Sequence, residues 1–189
     1  MPRLGLTVAA GLAVASWIPL IGRNLLRTPL STWGMALAHF GVAVAIAGMA
    51  TDSAFSQEKL AAVRPGETLN VGPWTVQLQG LAPAVGPNWT AIEAELRASR
   101  GDGVLILKPQ TRFFADPPTE TNEAAIATLL GGQLYTVVGK PDGEGRWQLR
   151  LWWKPFVTLI WLGGVLIALG GALALIGRAW RRWRKERDL

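Results

Sequence analysis

The residue best suited to chemistry is His39, the only histidine of the chain. It lies in the uncharged stretch 33–50, six residues after Trp33, which is about 9 Å along a helix. An imidazole in apolar surroundings is cut off from water, so its nitrogens need a partner. The helical neighbours three and four positions away have no side chain that can bond it: Met35, Ala36, Val42 and Ala43. We therefore predict that the partner comes from another helix, a metal ion or a cofactor.

Two roles for His39 follow from its surroundings. Haem iron readily takes an axial imidazole, and Ala36 and Ala43 would leave room beside the ring for a flat macrocycle. The alternative is a structural histidine, hydrogen-bonded across a contact between two helices. The residues alone leave both roles open.

Few other residues indicate chemistry. The chain has no cysteine, which excludes disulfides, thiolate metal sites and covalent haem attachment to this chain. Segment 52–154 also has no histidine, and nothing in it places a nucleophile beside a base. Glu93 and Glu95 share one face of a predicted strand, where a solvated edge is the favoured interpretation. We predict no catalytic residue.

Three uncharged stretches predict the elements that hold His39. Residues 4–21, 33–50 and 156–177 are each about the length that crosses ~30 Å of hydrocarbon. The predicted organisation is two transmembrane helices with a short cytoplasmic link in 1–51, and a periplasmic, β-rich domain in 52–154. A third transmembrane helix in 155–177 and a basic cytoplasmic tail in 178–189 complete it.

The net charge of +6 is concentrated beside these helices. The link carries Arg23 and Arg27, the tail carries six basic and two acidic residues, and segment 52–154 is nearly neutral, with ten basic and eleven acidic residues. Basic residues next to hydrophobic helices are typical of cytoplasmic segments. We therefore predict a multi-pass protein of the bacterial inner (plasma) membrane, in contact with lipid, with 52–154 periplasmic and the C-terminus cytoplasmic. Nucleic-acid binding is not expected.

Segment 52–154 shows the period-two alternation of β-strands. Apolar residues alternate with polar ones around Trp74–Leu78, Ile92–Leu96 and Trp147–Trp153, and glycine or proline turns separate the runs. Six to eight short strands indicate a small barrel or sandwich. Residues 119–130 begin with capping residues and continue with helix formers, which predicts one short helix in this domain.

Small residues recur every four positions in two of the apolar stretches. They are Gly5, Ala9 and Ala13 in the first, and Gly164, Ala168 and Ala172 in the third. This spacing lets helix backbones approach closely. Because three helices bury few such faces, a larger membrane partner is expected.

Several segments resemble, in order, the CcmF/NrfE family, the integral membrane subunits of bacterial cytochrome c-type haem lyase. The run Arg27–Ala43, which contains His39, resembles the family segment with a transmembrane haem-ligand histidine. Further similar segments follow in the same order: Gly86–Trp89, Thr121–Ile126, Gln133–Tyr135, Arg150–Phe156 and Ile160–Gly171.

The resemblance implies a fold, a cofactor and partners. It implies that His39 is an axial ligand of a b-type haem (haem b), with the other ligand outside this chain. The complete enzyme is expected to take haem from a periplasmic haem chaperone and attach it to apocytochrome c. The match concerns the C-terminal part of a longer family, so we expect a truncated product, one piece of a split protein or a fragment. The expected partners are then the remainder of a CcmF-type subunit and other maturation proteins.

Two functions remain open from the sequence. The first is the C-terminal portion of a haem lyase, inactive by itself, that ligates haem b through His39. The second is a non-catalytic membrane scaffold whose β domain docks a haem chaperone or apocytochrome.

Overall fold

The computed structural model describes residues 2–187, which form two compact units. The first unit comprises residues up to Ala54 and from Phe156 onwards, and the second is Phe55–Pro155. The first unit is helical, and the second is built of antiparallel strands. The predicted combination of three apolar helices and a β domain is confirmed.

The helical unit contains α1 (Pro2–Ala15), α2 (Leu30–Phe55) and α3 (Thr158–Arg187). Two short 3₁₀ turns, Ile18–Leu20 and Leu25–Arg27, lie between α1 and α2. Three segments are long and apolar enough to cross a membrane, with mean hydropathies of 1.4, 1.6 and 2.4: Arg3–Leu20, Leu30–Phe55 and Thr158–Arg184. Helix α1 ends before Pro19, which removes a backbone donor, and α3 continues through the basic residues that the sequence assigned to a tail.

Glycines set the packing of α2 against α3. Gly34, Gly41 and Gly48 lie seven residues apart on α2, and a β-carbon at any of them would come within 3 Å of α3 backbone atoms. On α3 the facing glycines are Gly163, Gly170 and Gly177, which are equally close to α2. The two helices are antiparallel, because Gly48 faces Ile160 whereas Gly34 faces Ala174. Only residues without a side chain allow this approach.

The opposite face of α2 packs on α1. Ala36, Ala43 and Ala50 are buried there, and a β-carbon at Gly5 would lie 2.8 Å from the Ala50 side chain. Ala9 of α1 is buried as well. The predicted stripe on α1 therefore packs within the chain, whereas the Gly164, Ala168 and Ala172 stripe is exposed in the helical unit.

The second unit is a β-sandwich of ten strands. They are β1 (Gln57–Val63), β2 (Thr68–Val71), β3 (Trp74–Val85), β4 (Trp89–Arg100), β5 (Gly103–Leu107), β6 (Gln110–Ala115), β7 (Pro118–Glu123), β8 (Ala125–Leu129), β9 (Gly132–Pro141) and β10 (Trp147–Pro155). One sheet has the order β1-β10-β9-β8, and the other has β2-β3-β4-β6-β7, with β5 also paired to β4. Of the barrel and sandwich alternatives, the sandwich is correct.

The predicted alternation identifies the core of the sandwich. Trp74, Val76 and Leu78 of one sheet are buried, as are Leu149 and Leu151 of the other. Their polar neighbours along the strands point outwards. The sequence pattern thus located the two inner faces.

The prediction of a helix over residues 119–130 is wrong. These residues form β7 and β8, two strands at sheet edges. Thr111 binds the Asn122 side chain at 3.1 Å, and the Thr136 hydroxyl donates to the Ala125 carbonyl at 3.0 Å. Pairing with β6 and β9 outweighs the modest helix propensity of the segment, which amounts to a few tenths of a kcal/mol per residue.

Candidate functional site

The helical unit presents His39 on the exposed side of α2. The ring lies between the face of α2 that packs on α3 and the face that packs on α1. It therefore belongs to neither of the two close contacts. The fold leaves the imidazole accessible to something outside the helices described here.

The backbone of α2 orients the imidazole ring. Nδ1 of His39 lies 2.8 Å from the carbonyl oxygen of Met35, one turn earlier. A carbonyl can only accept, so Nδ1 donates its N–H. In a neutral imidazole the proton on Nδ1 leaves a lone pair on Nε2. In that neutral form, the ring is held with an unprotonated Nε2 directed away from its own helix.

The expectation that the partner of His39 comes from outside its own helix is wrong for Nδ1, because the Met35 backbone carbonyl, four residues earlier, accepts from it. Any helical residue has such a carbonyl nearby, and its second lone pair remains available after the helix bond is made. The requirement for an outside partner therefore applies to Nε2 alone.

The space that the sequence predicted beside the ring, at Ala36 and Ala43, is not open. Ala36 and Ala43 are 1% and 2% exposed, so the helical unit itself covers them. A macrocycle cannot lie on these two residues as the sequence suggested. The accessible space is on the outer side of His39.

A shallow apolar depression adjoins the ring on that side. It has a volume of about 270 Å³ and lies between α1 with its following turn and the first half of α2. Ser16 is the one other polar side chain in its wall, and its hydroxyl donates to the Ala13 carbonyl at 2.7 Å. The lining residues are Leu12, Ala15, Ser16, Pro19, Met35, Ala36 and His39. His39 is therefore the one lining residue whose side chain carries nitrogen atoms.

One imidazole nitrogen, Nε2 of His39, is the kind of group that can bind one side of a haem iron. Haem brings its own four nitrogens and needs axial ligands from protein, which a neutral imidazole provides through Nε2. Residues 2–187 contain no group of three or more His, Cys, Asp or Glu side chains that could hold a bare metal ion. The arrangement is therefore better suited to haem than to an ion that needs several protein ligands.

The ends of the helices gather the basic residues. Because α2 and α3 are antiparallel, the link with Arg23 and Arg27 lies at the same end of the helical unit as the basic part of α3. Arg181 of α3 donates to the Ser31 hydroxyl at 2.6 Å at the start of α2. The sequence did not indicate this contact, because the two residues are far apart in the chain.

In the sandwich, Glu93 and Glu95 behave as the solvated pair that the sequence favoured. Lys108 lies 3.5 Å from Glu93 and 3.3 Å from Glu95. The hydrogen bond that Lys108 donates to Glu95 and the negative charge of Glu93 raise the pKa of Lys108 above its ordinary value. Surface ion pairs of this kind contribute little to stability.

Three apolar helices that carry an inserted antiparallel sandwich define a class of integral membrane protein. A family model described as the CcmF C-terminal beta-sandwich matches residues 54–155. This chain belongs to the CcmF family.

The similarity to relatives extends beyond the matched domain and includes the helices. The cytochrome c-type biogenesis protein CycK of Bradyrhizobium diazoefficiens is 36% identical over 191 residues, which cover 94% of this chain and 28% of that protein. The cytochrome c-type biogenesis protein CcmF of Escherichia coli K12 is 33% identical over 181 residues, which cover 91% and 28%. The chain thus spans less than a third of the length of these relatives.

A solved structure has the same fold. The cytochrome c haem lyase CcmF matches with a TM-score of 0.71 and 24% identity, over 91% of this chain and 30% of that one. At this identity the match speaks for the architecture of helices and sandwich. The resemblance seen in the sequence is confirmed at the level of the family.

Proposed function

We propose that this chain acts in cytochrome c maturation, and that His39 is one axial ligand of a b-type haem within a CcmF-type haem lyase. The observation that carries the proposal is the hydrogen bond from His39 Nδ1 to the Met35 carbonyl. Such a bond is usual for a metal-ligating histidine, because it fixes the tautomer and increases the basicity of the other nitrogen. The names of the relatives, cytochrome c-type biogenesis proteins, support the same function.

The exposure of Nε2 gives a further physical reason. Within residues 2–187, the Met35 carbonyl is the one hydrogen-bond partner of the His39 ring. A polar atom left unpaired in hydrocarbon costs on the order of a few kcal/mol. Ligation of iron by Nε2 removes this cost, and the Met35 carbonyl keeps the ring from turning away.

The chain's own contribution to the proposed chemistry is to orient the His39 ring and to surround it with apolar side chains. Bound haem b would supply one-electron exchange, which suits the reduction of the haem that is to be attached. His39 would hold the iron of that haem, and the apolar side chains of Leu12, Pro19 and Ala36 line the depression beside the ring. The second axial ligand is expected from the part of a CcmF-type subunit that this chain does not contain.

The proposed setting is the bacterial inner membrane. The two basic groups at one end of the helical unit would lie in the cytoplasm, and the sandwich would lie in the periplasm. The periplasm is where a haem chaperone and apocytochrome c would meet the complex. The exposed Gly164, Ala168 and Ala172 face would pack on other helices of that complex.

A second role, as a docking scaffold, is favoured by the outer face of the four-stranded sheet. Tyr135 and Trp152 stack edge to face there with centroids 5.1 Å apart, and the Arg150 guanidinium lies 4.6 Å from the Trp152 ring centroid. Ile126 pairs with Tyr135 and is 50% exposed. Aromatic and arginine side chains are enriched at protein interfaces. Docking of the apocytochrome or the chaperone by this face is compatible with haem ligation by His39.

The test of ligation is His39→Ala in the assembled complex, with Val42→Ala as the matched control. Val42 is a partly exposed residue on the same helix, so its truncation also removes side-chain volume from α2 without removing a nitrogen. We expect the b-haem absorption per complex to fall to background in His39→Ala and to be unchanged in Val42→Ala. Added imidazole should restore part of the absorption in His39→Ala, which a purely structural histidine would not do.

Two outcomes would decide against ligation by His39. One is an unchanged haem spectrum in His39→Ala. The other is equal haem loss in both variants, without rescue by imidazole. If His39→Ala does not accumulate, His39→Cys provides the measurement, because a thiolate ligand should retain haem with a different reduction potential.

A further inference from the structure

A second depression lies at the basic end of the helical unit. It has a volume of about 440 Å³ and is formed by the link before α2 and the last turns of α3. Its wall is apolar on one side and cationic on the other, and no carboxylate of the described residues lines it. The residues that matter are Leu26, Pro29, Leu30, Trp180, Arg181 and Arg184.

Both arginines are held in place before any ligand binds. Arg181 donates to the Ser31 hydroxyl at 2.6 Å. The Arg184 guanidinium lies 5.5 Å from the centre of the Trp180 ring, which is a cation–π distance. Because these contacts restrict the long side chains, a ligand would have less rotational freedom to remove when it binds.

The apolar side of the depression is unusual in its exposure. Leu26 is 99% exposed, and its neighbour Leu25 is 54% exposed. The uncharged part of α3 ends at Gly177, and Arg178 begins the basic part. The depression therefore lies at the boundary between hydrocarbon-compatible and charged surface, where lipid headgroups meet acyl chains.

We propose that this depression binds one anionic phospholipid. The phosphate accepts hydrogen bonds from Arg181 and Arg184, and an acyl chain lies against Leu26 and Leu30. Guanidinium groups match phosphate oxygens in charge and in geometry. The proposal rests on the membrane placement proposed above, and it is independent of the haem.

The neighbouring face of α3 provides a comparison. A groove of about 540 Å³ there is lined by Arg178, Arg182 and Trp183, but also by Glu186. A carboxylate in the wall compensates part of the positive charge and repels a phosphate. Among residues 2–187, the groove beside Arg178 and Arg182 thus has an acidic wall residue, and the depression beside Arg181 and Arg184 has none.

The experiment compares these two pairs of arginines. The full chain is reconstituted in nanodiscs of phosphatidylcholine with a minor fraction of phosphatidylglycerol, and native mass spectrometry measures the phosphatidylglycerol that each chain retains. We expect Arg181→Gln/Arg184→Gln to lower retention about tenfold more than the matched control, Arg178→Gln/Arg182→Gln, because it removes charge-assisted hydrogen bonds. Ser31→Ala should lower retention by a smaller factor, since it frees Arg181 without removing its charge.

Three results would overturn the proposal. Equal losses in the two double variants would show diffuse attraction to anionic lipid, and no loss in either would show no site. Unchanged retention in Ser31→Ala decides against the site if the double variant does not accumulate. Failure of the chain to insert into nanodiscs would contradict the membrane placement, whereas insertion without a lipid preference contradicts only this site.

Discussion

One carboxylate organises the turn between β9 and β10. Oδ1 of Asp142 accepts from the backbone N–H groups of Glu144 at 2.9 Å and Arg146 at 3.1 Å, and Oδ2 accepts from the Arg146 guanidinium at 2.7 Å. The hydrogen bond from the Glu144 backbone is the largest cause of a lowered pKa for Asp142, and Arg146 adds to it. The ionised form is therefore the one that holds the turn.

This turn should loosen in acid. Because the folded pKa of Asp142 lies below the ordinary value of 3.8, its stabilising effect is present above that value and disappears as the pH falls through the folded pKa. Asp142→Ala should produce the same loosening at neutral pH. Amide hydrogen exchange at Glu144 and Arg146 measures it, and Asp102→Ala in the turn between β4 and β5 is the control. Unchanged exchange at both amides in Asp142→Ala would contradict the role of this carboxylate.

At the same scale, His39 shows what a sequence reveals about a site. Its isolation in an apolar helix singled it out, because a lone polar residue in hydrocarbon is rare and needs an explanation. The Met35 carbonyl and the burial of Ala36 and Ala43 could not be read from residue types. The first depends on the rotamer of the ring, and the second depends on where α1 packs.

Among the elements, α2 and α3 form the most restrictive contact. The glycines of both helices lie seven residues apart, and each faces backbone atoms of the partner helix. Small residues occur in α3 at two adjacent sets of positions, and the sequence pointed to the Gly164 set. Within the chain, α3 packs on α2 through Gly163, Gly170 and Gly177, and packing of the Gly164 set on a partner stays a prediction.

Valine at Gly41 should therefore separate the helices, whereas valine at Gly164 should not. A β-carbon at Gly41 would lie 2.8 Å from both the Gly163 carbonyl oxygen and the Ile167 nitrogen, but one at Gly164 meets nothing within 4 Å. The overpacking cost of about 1–3 kcal/mol predicts a fall of roughly 5 °C in the unfolding midpoint of the isolated chain. Circular dichroism of both variants in detergent measures this, and equal midpoints would refute the glycine contact.

For most strands, in contrast to the helix contact, the local sequence pattern was enough to predict which residues face the core. Alternation located the core because most inward positions are apolar and most outward positions are polar along β3, β4 and β10, although Trp152 is an outward-facing exception. Residues 119–130 have no such alternation of apolar and polar residues, and both of their strands lie at sheet edges, β7 mostly exposed and β8 partly buried. Only the pairing of β7 with β6 and of β8 with β9 defines them as strands. The local sequence pattern does not predict which strands pair.

For the whole molecule, charge predicts orientation. Arg23 and Arg27 lie at the same end of the helical unit as the arginines of α3, so both groups favour one side of a membrane. Reporter fusions at Gly145 and after the C-terminus should give opposite answers, periplasmic for the first and cytoplasmic for the second. Removing four positive charges should lower the fraction of chains with this orientation. The variant changes Arg178, Arg181, Arg182 and Arg184 to Gln. Equal answers at the two fusion sites would contradict the assignment.

The pairing of β1 with β10 has a consequence for the order of folding. These strands join Gln57 to Trp153, so they close a loop of nearly the whole domain. Closing a loop of about a hundred residues costs roughly 4 kcal/mol of chain entropy at (3/2)RT ln n. In the helical unit, Gly48 contacts Ile160, and these residues lie nine positions before Gln57 and seven positions after Trp153 in the sequence. If the helices pair first, the segments that lead into β1 and out of β10 are held near each other before the sandwich folds. The entropic cost of pairing these two strands would then be smaller than in a chain without the helices.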